Sequence, residues 1–282
     1  MGAKSKVRSL KGLPEKIADD PWRLDGQVAV ITGGSSGLGL DIADVLAAAG
    51  CKIVLTSRTM ARAEKSAVVL RRRHAVEALA LPLELAEYRS IVRFANRAHA
   101  WRQRIDILVN NAGGGSGATA AELFQRDPAE IARTLNTNLL AVIYCCQQIG
   151  RYMVERRSGR IINVASVSGL VGRDRRLYRE QGVREQPVDY AAAKAGVLGL
   201  TRDLAALLAP AGVRVNSLCP GGFDKGTLPP GFVSAYADRT PLRRMGRVGT
   251  DIKGAALFLA SAASDYMTGQ NLVIDGGFSA VK

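Results

Sequence analysis

From Gln27 onward, short apolar and β-branched runs alternate with longer amphipathic stretches. The runs lie at Val28 to Ile31, Lys52 to Thr56, Ala78 to Leu83, Ile105 to Asn110, Arg160 to Ala165, Val213 to Leu218 and Asn271 to Ile274. Between them, helical patterning covers about 38–49, 60–74, 87–103, 128–157, 189–210 and 251–262. Short β-branched runs separated by helical lengths predict βαβ units. With right-handed crossovers, these give an α/β fold: one doubly wound, seven-stranded parallel sheet with helices on both faces.

This order gives meaning to several polar and glycine-rich segments. The first strand runs into Thr32-Gly33-Gly34-Ser35-Ser36-Gly37-Leu38-Gly39, and a helix follows. Glycines there permit a tight turn and close approach of backbone N–H groups to a pyrophosphate, and the helix N-terminus adds partial positive charge. The second strand ends at Thr56-Ser57-Arg58 with no acid. An acid there would bind a free ribose 2′-hydroxyl, whereas an arginine suits a 2′-phosphate. NADP(H) is therefore expected over NAD(H), with Arg58 as a solvent-facing helix start the alternative.

Asn110 to Gly113, Ser166 and Pro220-Gly221 follow later strands, at the edge where open α/β sheets bind ligands. Asn138 reaches the same crevice from inside a helix, where asparagine has no propensity reason to be. Tyr190 and Lys194, four residues apart in an alanine-rich helix, share one helical face. A phenol, with a pKa of about 10, is a poor acid or base at neutral pH, but a fixed cation beside it favours the phenolate. By spacing alone the pair is also what many exposed helices carry.

Composition narrows the classes. The 282 residues, 47% hydrophobic and 23% charged, suit one large domain, and no repeat or linker divides them. Cys51, Cys145, Cys146 and Cys219 lack metal-site or disulfide spacing and read as buried thiols in a reducing compartment. His74 and His99 lie among arginines away from every motif and read as surface residues, so no metal or histidine catalyst is expected. Residues 1–24 read as a flexible basic arm, and 25–282 as the folded domain. No segment is long and apolar enough for a signal peptide or a membrane span, so a cytoplasmic protein is expected. The formal charge of +14 shows no base-stacking pattern or nucleic-acid motif, so nucleic acid is not an expected partner, and Arg71 to Arg73 read as a solvated surface.

Taken in order, these motifs resemble those of the classical short-chain dehydrogenase/reductase family over about residues 25–280. The closing stretch Thr268 to Gly277 belongs to the same resemblance. It implies a Rossmann-type fold, a homotetramer or dimer, and hydride transfer between a nicotinamide and a ketone or secondary alcohol. Asn138, Ser166, Tyr190 and Lys194 take the catalytic roles by this resemblance. Tyr190 protonates the carbonyl oxygen, and Ser166 holds that oxygen about 3 Å from the phenol. Lys194 lowers the phenol pKa and holds the nicotinamide ribose, while Asn138 anchors a water leading from Lys194 to solvent. For the cofactor, Gly33, Ser35, Ser36, Gly37, Leu38 and Gly39 match the phosphate turn, and Arg58 the 2′-phosphate position. Glu84, followed by Leu85, stands where the family usually has an aspartate beside adenine. Asn111, Ala112 and Gly113 line the adenosine ribose, and Pro220, Gly221 and Phe223 the nicotinamide.

Three departures remain. Ser166 and Tyr190 are separated by an arginine-rich insertion at about 173–187. Lys225 stands where a carboxamide-binding threonine is common, and Gly113 to Gly117 prolong the turn after the fourth strand. The insertion's arginines suit either an anionic substrate or a solvated or oligomer-contact hairpin. At subfamily level the chain resembles gluconate 5-dehydrogenase-like and sugar-modifying reductases. A 3-oxoacyl-[acyl-carrier-protein] reductase is the alternative, its acidic carrier matching a basic rim. A catalytically silent dinucleotide sensor is the third reading, against which the intact catalytic set argues.

Overall fold

The computed structural model describes residues 20–114 and 122–281. Seven parallel strands form the sheet: β1 (Val28–Ile31), β2 (Lys52–Ser57), β3 (Ala78–Pro82), β4 (Ile107–Asn110), β5 (Gly159–Val164), β6 (Val213–Pro220) and, at the far edge, Asn271–Ile274. Two short strands intervene in the chain, β7 (Phe223–Asp224) and β8 (Gly246–Arg247), which pair with each other, so the last sheet strand is β9. The sheet order is β3-β2-β1-β4-β5-β6-β9. Its winding reverses between β1 and β4, which opens a crevice at the C-terminal strand ends.

Each expected strand and helical segment is present. The helices are α1 (Gly37–Ala48), α2 (Met60–His74), α3 (Tyr88–Arg102), α4 (Pro128–Leu135), α5 (Ala141–Glu155), α6 (Arg176–Glu180), α7 (Val188–Leu208), α8 (Pro230–Asp238) and α9 (Lys253–Ala260). One apolar layer holds α1, α2 and α9 around Ile31, Ile42, Leu55 and Ile252. The opposite layer holds α3, α5 and α7 around Val30, Leu108, Ile149 and Val197. Because both faces are covered, β1 is apolar at every position, reading Val-Ala-Val-Ile with all four residues buried.

Some features depart from the sequence pattern. The segment expected as one helix over 128–157 contains a π-helical turn at Asn136–Leu140. The hydroxyls of Thr134 and Thr137 donate to the carbonyls four residues earlier, at 2.9 Å each, a habit that loosens the regular ladder. The insertion is folded: α6 packs on α8 through Leu177, Phe232, Tyr236 and Met245, a small separate core. Packing begins before residue 25, since Leu24 is fully buried and Trp22 lies 6.2 Å from the Phe258 ring. The rest of the basic arm, residues 1–19, and Gly115 to Gly117 of the long turn lie outside the described residues.

His74 is not a free surface residue: Asp44 draws its Nε2 to 2.7 Å, beside Lys253 at 2.6 Å, joining α1, α2 and α9. His99 stacks on Tyr152 at 3.9 Å. Nor are Arg71 to Arg73 simply solvated, because Arg71 donates to the Ala78 carbonyl and Arg73 approaches Asp44. All four cysteines are buried free thiols. Among the described residues no helix is long and apolar enough to cross a membrane, and no His, Cys, Asp and Glu cluster could hold a metal.

Candidate active site

Above the winding reversal lies a cleft of about 950 Å³. Its floor is the glycine turn, and Gly33, Ser35, Ser36, Gly37, Leu38 and Gly39 all face it. Gly33 and Gly37 have φ of 64° and 53°, a left-handed conformation that glycine adopts without a steric penalty. At Gly39 a Cβ would sit 2.5 Å from the Gly33 carbonyl oxygen and collide with the Asn111 amide. That amide donates to the Thr32 carbonyl at 3.0 Å, and the Thr32 hydroxyl accepts from the N–H groups of Asn111 and Ala112, both at 3.0 Å. The turns after β1 and β4 are thus one fastened unit. No side chain caps the first turn of α1 and no acid stands in it, so its N–H groups remain available to an anion. The bare glycine floor, open helix end and size fit a dinucleotide pyrophosphate.

One end of the cleft, where the sequence led adenine to be expected, is lined by Arg58, Leu83, Glu84 and Leu85, and also by Arg62, four residues beyond Arg58. Arg58 and Arg62 form no ion pair among the described residues, so two exposed guanidiniums flank the place expected for a 2′-phosphate. The Glu84 carboxylate accepts from the Ala86 N–H at 3.1 Å. Lys225 enters from the loop after β7 and also lines the cleft. Its Nζ lies 3.7 Å from the point a Cβ on Gly37 would occupy, so an ammonium sits over the positive end of α1. Asn111, Ala112, Gly113 and Pro220 line the middle, whereas Gly221 and Phe223 do not reach the wall. Gly221 is bonded to the Ile274 carbonyl, and Phe223 packs into the sheet layer of α1 and α9.

At the other end Tyr190 and Lys194 line the cleft from the first turns of α7. The Ser166 hydroxyl, just past the end of β5, accepts from the Ser168 N–H at 3.1 Å and faces the Tyr190 phenol. Burial raises the phenol pKa, against which Ser166 and the guanidinium of Arg173 pull it down. Lys194 Nζ donates to the Val164 carbonyl at 2.7 Å and lies 5.7 Å from the Tyr190 ring centroid. Burial pushes its pKa down to about 8. Asn138 lies fully buried in the π-helical turn. Its Oδ1 accepts from the Gly114 N–H at 2.8 Å, while its Nδ2 donates to the carbonyls of Gly114 and Thr134, both at 3.0 Å. It holds the turn after β4 to the cleft's edge.

Two supporting sets were not evident in the sequence. Arg126 makes a buried bidentate pair with Asp189, at 2.9 and 3.1 Å, and donates to Thr134 at 2.9 Å. This fixes the residue preceding Tyr190 to the segment carrying Asn138. Asn163 joins Asn110 at 2.9 Å and Thr201 at 3.0 Å, tying β4, β5 and α7 beneath the site. Only polarity within an otherwise apolar strand or helix hinted at Asn163 and Thr201.

Comparison with known proteins agrees with this geometry. The chain is 35% identical over 263 residues to galactitol 2-dehydrogenase (L-tagatose-forming) of Cereibacter sphaeroides, covering 92% of this chain and 97% of that one. It is 32% identical over 259 residues to the 3-oxoacyl-[acyl-carrier-protein] reductase FabG of Aquifex aeolicus, covering 90% and 98%. The crystal structure of a gluconate 5-dehydrogenase from Burkholderia cenocepacia, in complex with NADP and tartrate, superposes with a TM-score of 0.83 at 34% identity, covering 93% and 99%. Residues 27–229 match the short chain dehydrogenase family itself, and this chain is one of its oxidoreductases.

Proposed function

We propose that the chain catalyses reversible NADP(H)-linked interconversion of a ketone and a secondary alcohol on a polyol, keto-sugar or sugar-acid substrate. The observation that carries this reading is the Tyr190 phenol, facing Ser166 and open to the same cleft as the glycine turn. A nicotinamide dinucleotide, when bound, supplies or accepts the hydride. Reduction builds negative charge on the carbonyl oxygen, and Tyr190 quenches it by giving up its proton. Ser166 orients that oxygen through its hydroxyl, and in the oxidative direction the Tyr190 phenolate takes the alcohol proton. Lys194, held at the Val164 carbonyl, keeps a cation under the phenol and a donor at the cleft wall. Asn138 and Gly114 hold the rim.

The two arginines at the adenine end support NADP(H), and the galactitol and gluconate dehydrogenases among the relatives support a polyhydroxylated substrate. The FabG relative and the formal charge of +14 support a second reading, reduction of acyl thioesters on an acidic carrier. A panel of polyols, sugar acids and 3-oxoacyl thioesters, assayed with NADP(H) and NAD(H), separates the two. Turnover confined to thioesters would replace the first reading with the second. Tyr190→Phe is expected to lower kcat at least about 100-fold by loss of the general acid, and an unchanged rate would remove Tyr190 from the chemistry.

A further inference from the structure

The insertion before α7 holds arginines that the sequence cannot tell apart, but the fold sorts them by partner. Arg175 pairs with Glu185 at 2.6 Å, and Arg176 makes a bidentate contact with Asp174, at 2.9 and 3.0 Å. Asp174 also faces Arg239, just past α8, at 3.7 Å. Arg179 is exposed. Arg173 differs from all of these. It is partly buried, it has no ion pair among the described residues, and its Nη1 is buried without a hydrogen-bond partner. Its Nη2 donates at 3.2 Å to the carbonyl of Pro187, the same oxygen that accepts the Tyr190 N–H at 3.2 Å. One carbonyl thus fastens the guanidinium beside the first turn of α7. Burial makes the charge harder to keep, yet an arginine does not give it up at any ordinary pH.

Neither Arg173 nor Ser166 forms the cleft wall, whereas Tyr190 does. A part-buried guanidinium without an ion pair, fastened to the carbonyl that also takes the Tyr190 N–H, is placed to act on the phenol. We propose that Arg173 is a positioning residue that acts through Tyr190, as the fixed counter-charge for the phenolate that remains after Tyr190 protonates the substrate oxygen. This rests on the reading of Tyr190 as the acid. The balance is simple: hydride reaches the carbonyl carbon, the Tyr190 proton reaches the oxygen, and the phenolate is later reprotonated from solvent. In oxidation the same phenolate accepts the alcohol proton.

The groups facing Tyr190 divide the work. Ser166 meets the phenol from the end of β5, and Lys194 lies under the ring on the same helix. Lys194 faces Cys219 of β6, and Asp189 is turned away into its pair with Arg126. Glu185 and Tyr178 face Arg173 from the insertion itself. With its pKa at about 8, Lys194 loses its charge as the medium becomes alkaline. Arg173 does not, and its burial limits screening by solvent and salt.

The test is the pH profile of alcohol oxidation at saturating NADP⁺ for Arg173→Met, which keeps the stem and removes the buried charge, a change that buried charges often tolerate. Removing a nearby cation raises the phenol pKa, so the rising limb is expected to move up by about one unit, with the rate below it falling roughly tenfold. Arg173→Lys is expected to return the limb towards its original place, and the exposed Arg179→Met to leave it unmoved. A spectroscopic tyrosinate titration of the NADP⁺-bound protein, with Tyr190→Phe subtracted, reads the same shift without turnover. The proposal is overturned if Arg173→Met leaves both profiles in place, or if Arg173→Lys or Arg179→Met shifts them as far. Those outcomes with Tyr190→Phe inactive reject Arg173 alone, whereas an active Tyr190→Phe rejects the underlying reading of Tyr190.

Discussion

Among the cations that line the cleft, Arg58, Arg62 and Lys225 stand at places that predict different phenotypes. Arg58 and Arg62 stand at the adenine end, where only the 2′-phosphate distinguishes the two dinucleotides. Charge-assisted bonds of about 1.5–3 kcal/mol correspond to roughly 10- to 100-fold in affinity. Arg58→Ala and Arg62→Ala are therefore expected to raise KM for NADPH by factors in that range and leave KM for NADH nearly unchanged. Parallel titrations with both cofactors check this, and equal losses would show that the arginines do not read the phosphate. Lys225 presents the opposite case. Its ammonium sits over Gly37 at the positive end of α1, a repulsive placement unless an anion lies between them. The pyrophosphate is common to both dinucleotides, so Lys225→Met is expected to raise both KM values about equally, by roughly tenfold for one charged hydrogen bond.

At the scale of elements, the glycine turn and the π-helical turn show how local backbone sets the site. Gly39→Ala would drive a methyl group into the Gly33 carbonyl and the Asn111 amide, separating turns that Thr32 holds together. The expected outcome is a loss of about 1–3 kcal/mol in stability, as for overpacking, with weaker binding of either dinucleotide. Thermal melts with and without NADP⁺ measure both, and an unchanged cofactor-induced rise in Tm would count against the role of the turn. The seven strands were legible because sheet strands buried on both faces are written as continuous apolar runs. The glycine turn was legible because few residues tolerate its geometry. The π-helical turn was not, because a single widened turn leaves the apolar pattern of 128–157 nearly intact. α6 and α8 were hidden for another reason: each is short, and Leu177, Phe232 and Tyr236 form a core only when brought together. Arg126 and Asp189, 63 positions apart, carry no mark of their pairing in the sequence. The arginines of the insertion look alike until Glu185, Asp174 and Pro187 separate them.

For the whole molecule, acid is the expected weak point. Asp106 lies at the foot of the sheet, where its carboxylate accepts from the Val28 N–H at 2.8 Å, from Arg104 at 2.8 and 2.9 Å, and from Arg156 at 3.1 Å. Burial alone would raise its pKa, but Arg104, the Val28 N–H and Arg156 outweigh burial and hold it below the usual range. Asp44 behaves alike: His74, Lys253 and Arg73 overcome its burial. A carboxyl with a folded pKa below its unfolded value binds more protons when unfolded. Its stabilisation is complete above the unfolded pKa of about 4 and is lost as pH falls through the folded value. A formal charge of +14 at neutral pH adds self-repulsion, which grows as the carboxylates are neutralised. Tm is therefore expected to be nearly flat from pH 6 to pH 8 and to drop steeply below about pH 4. Asp106→Asn isolates one contribution. At pH 7 it should lose about 2 kcal/mol through weakened bonds to Arg104 and Arg156, lowering Tm by roughly 4–8 °C. Below pH 4 wild-type Asp106 is itself being protonated, so the gap between the two melting curves should narrow. A gap that stays constant to pH 3 would mean that Asp106 stabilises the sheet by shape rather than by charge.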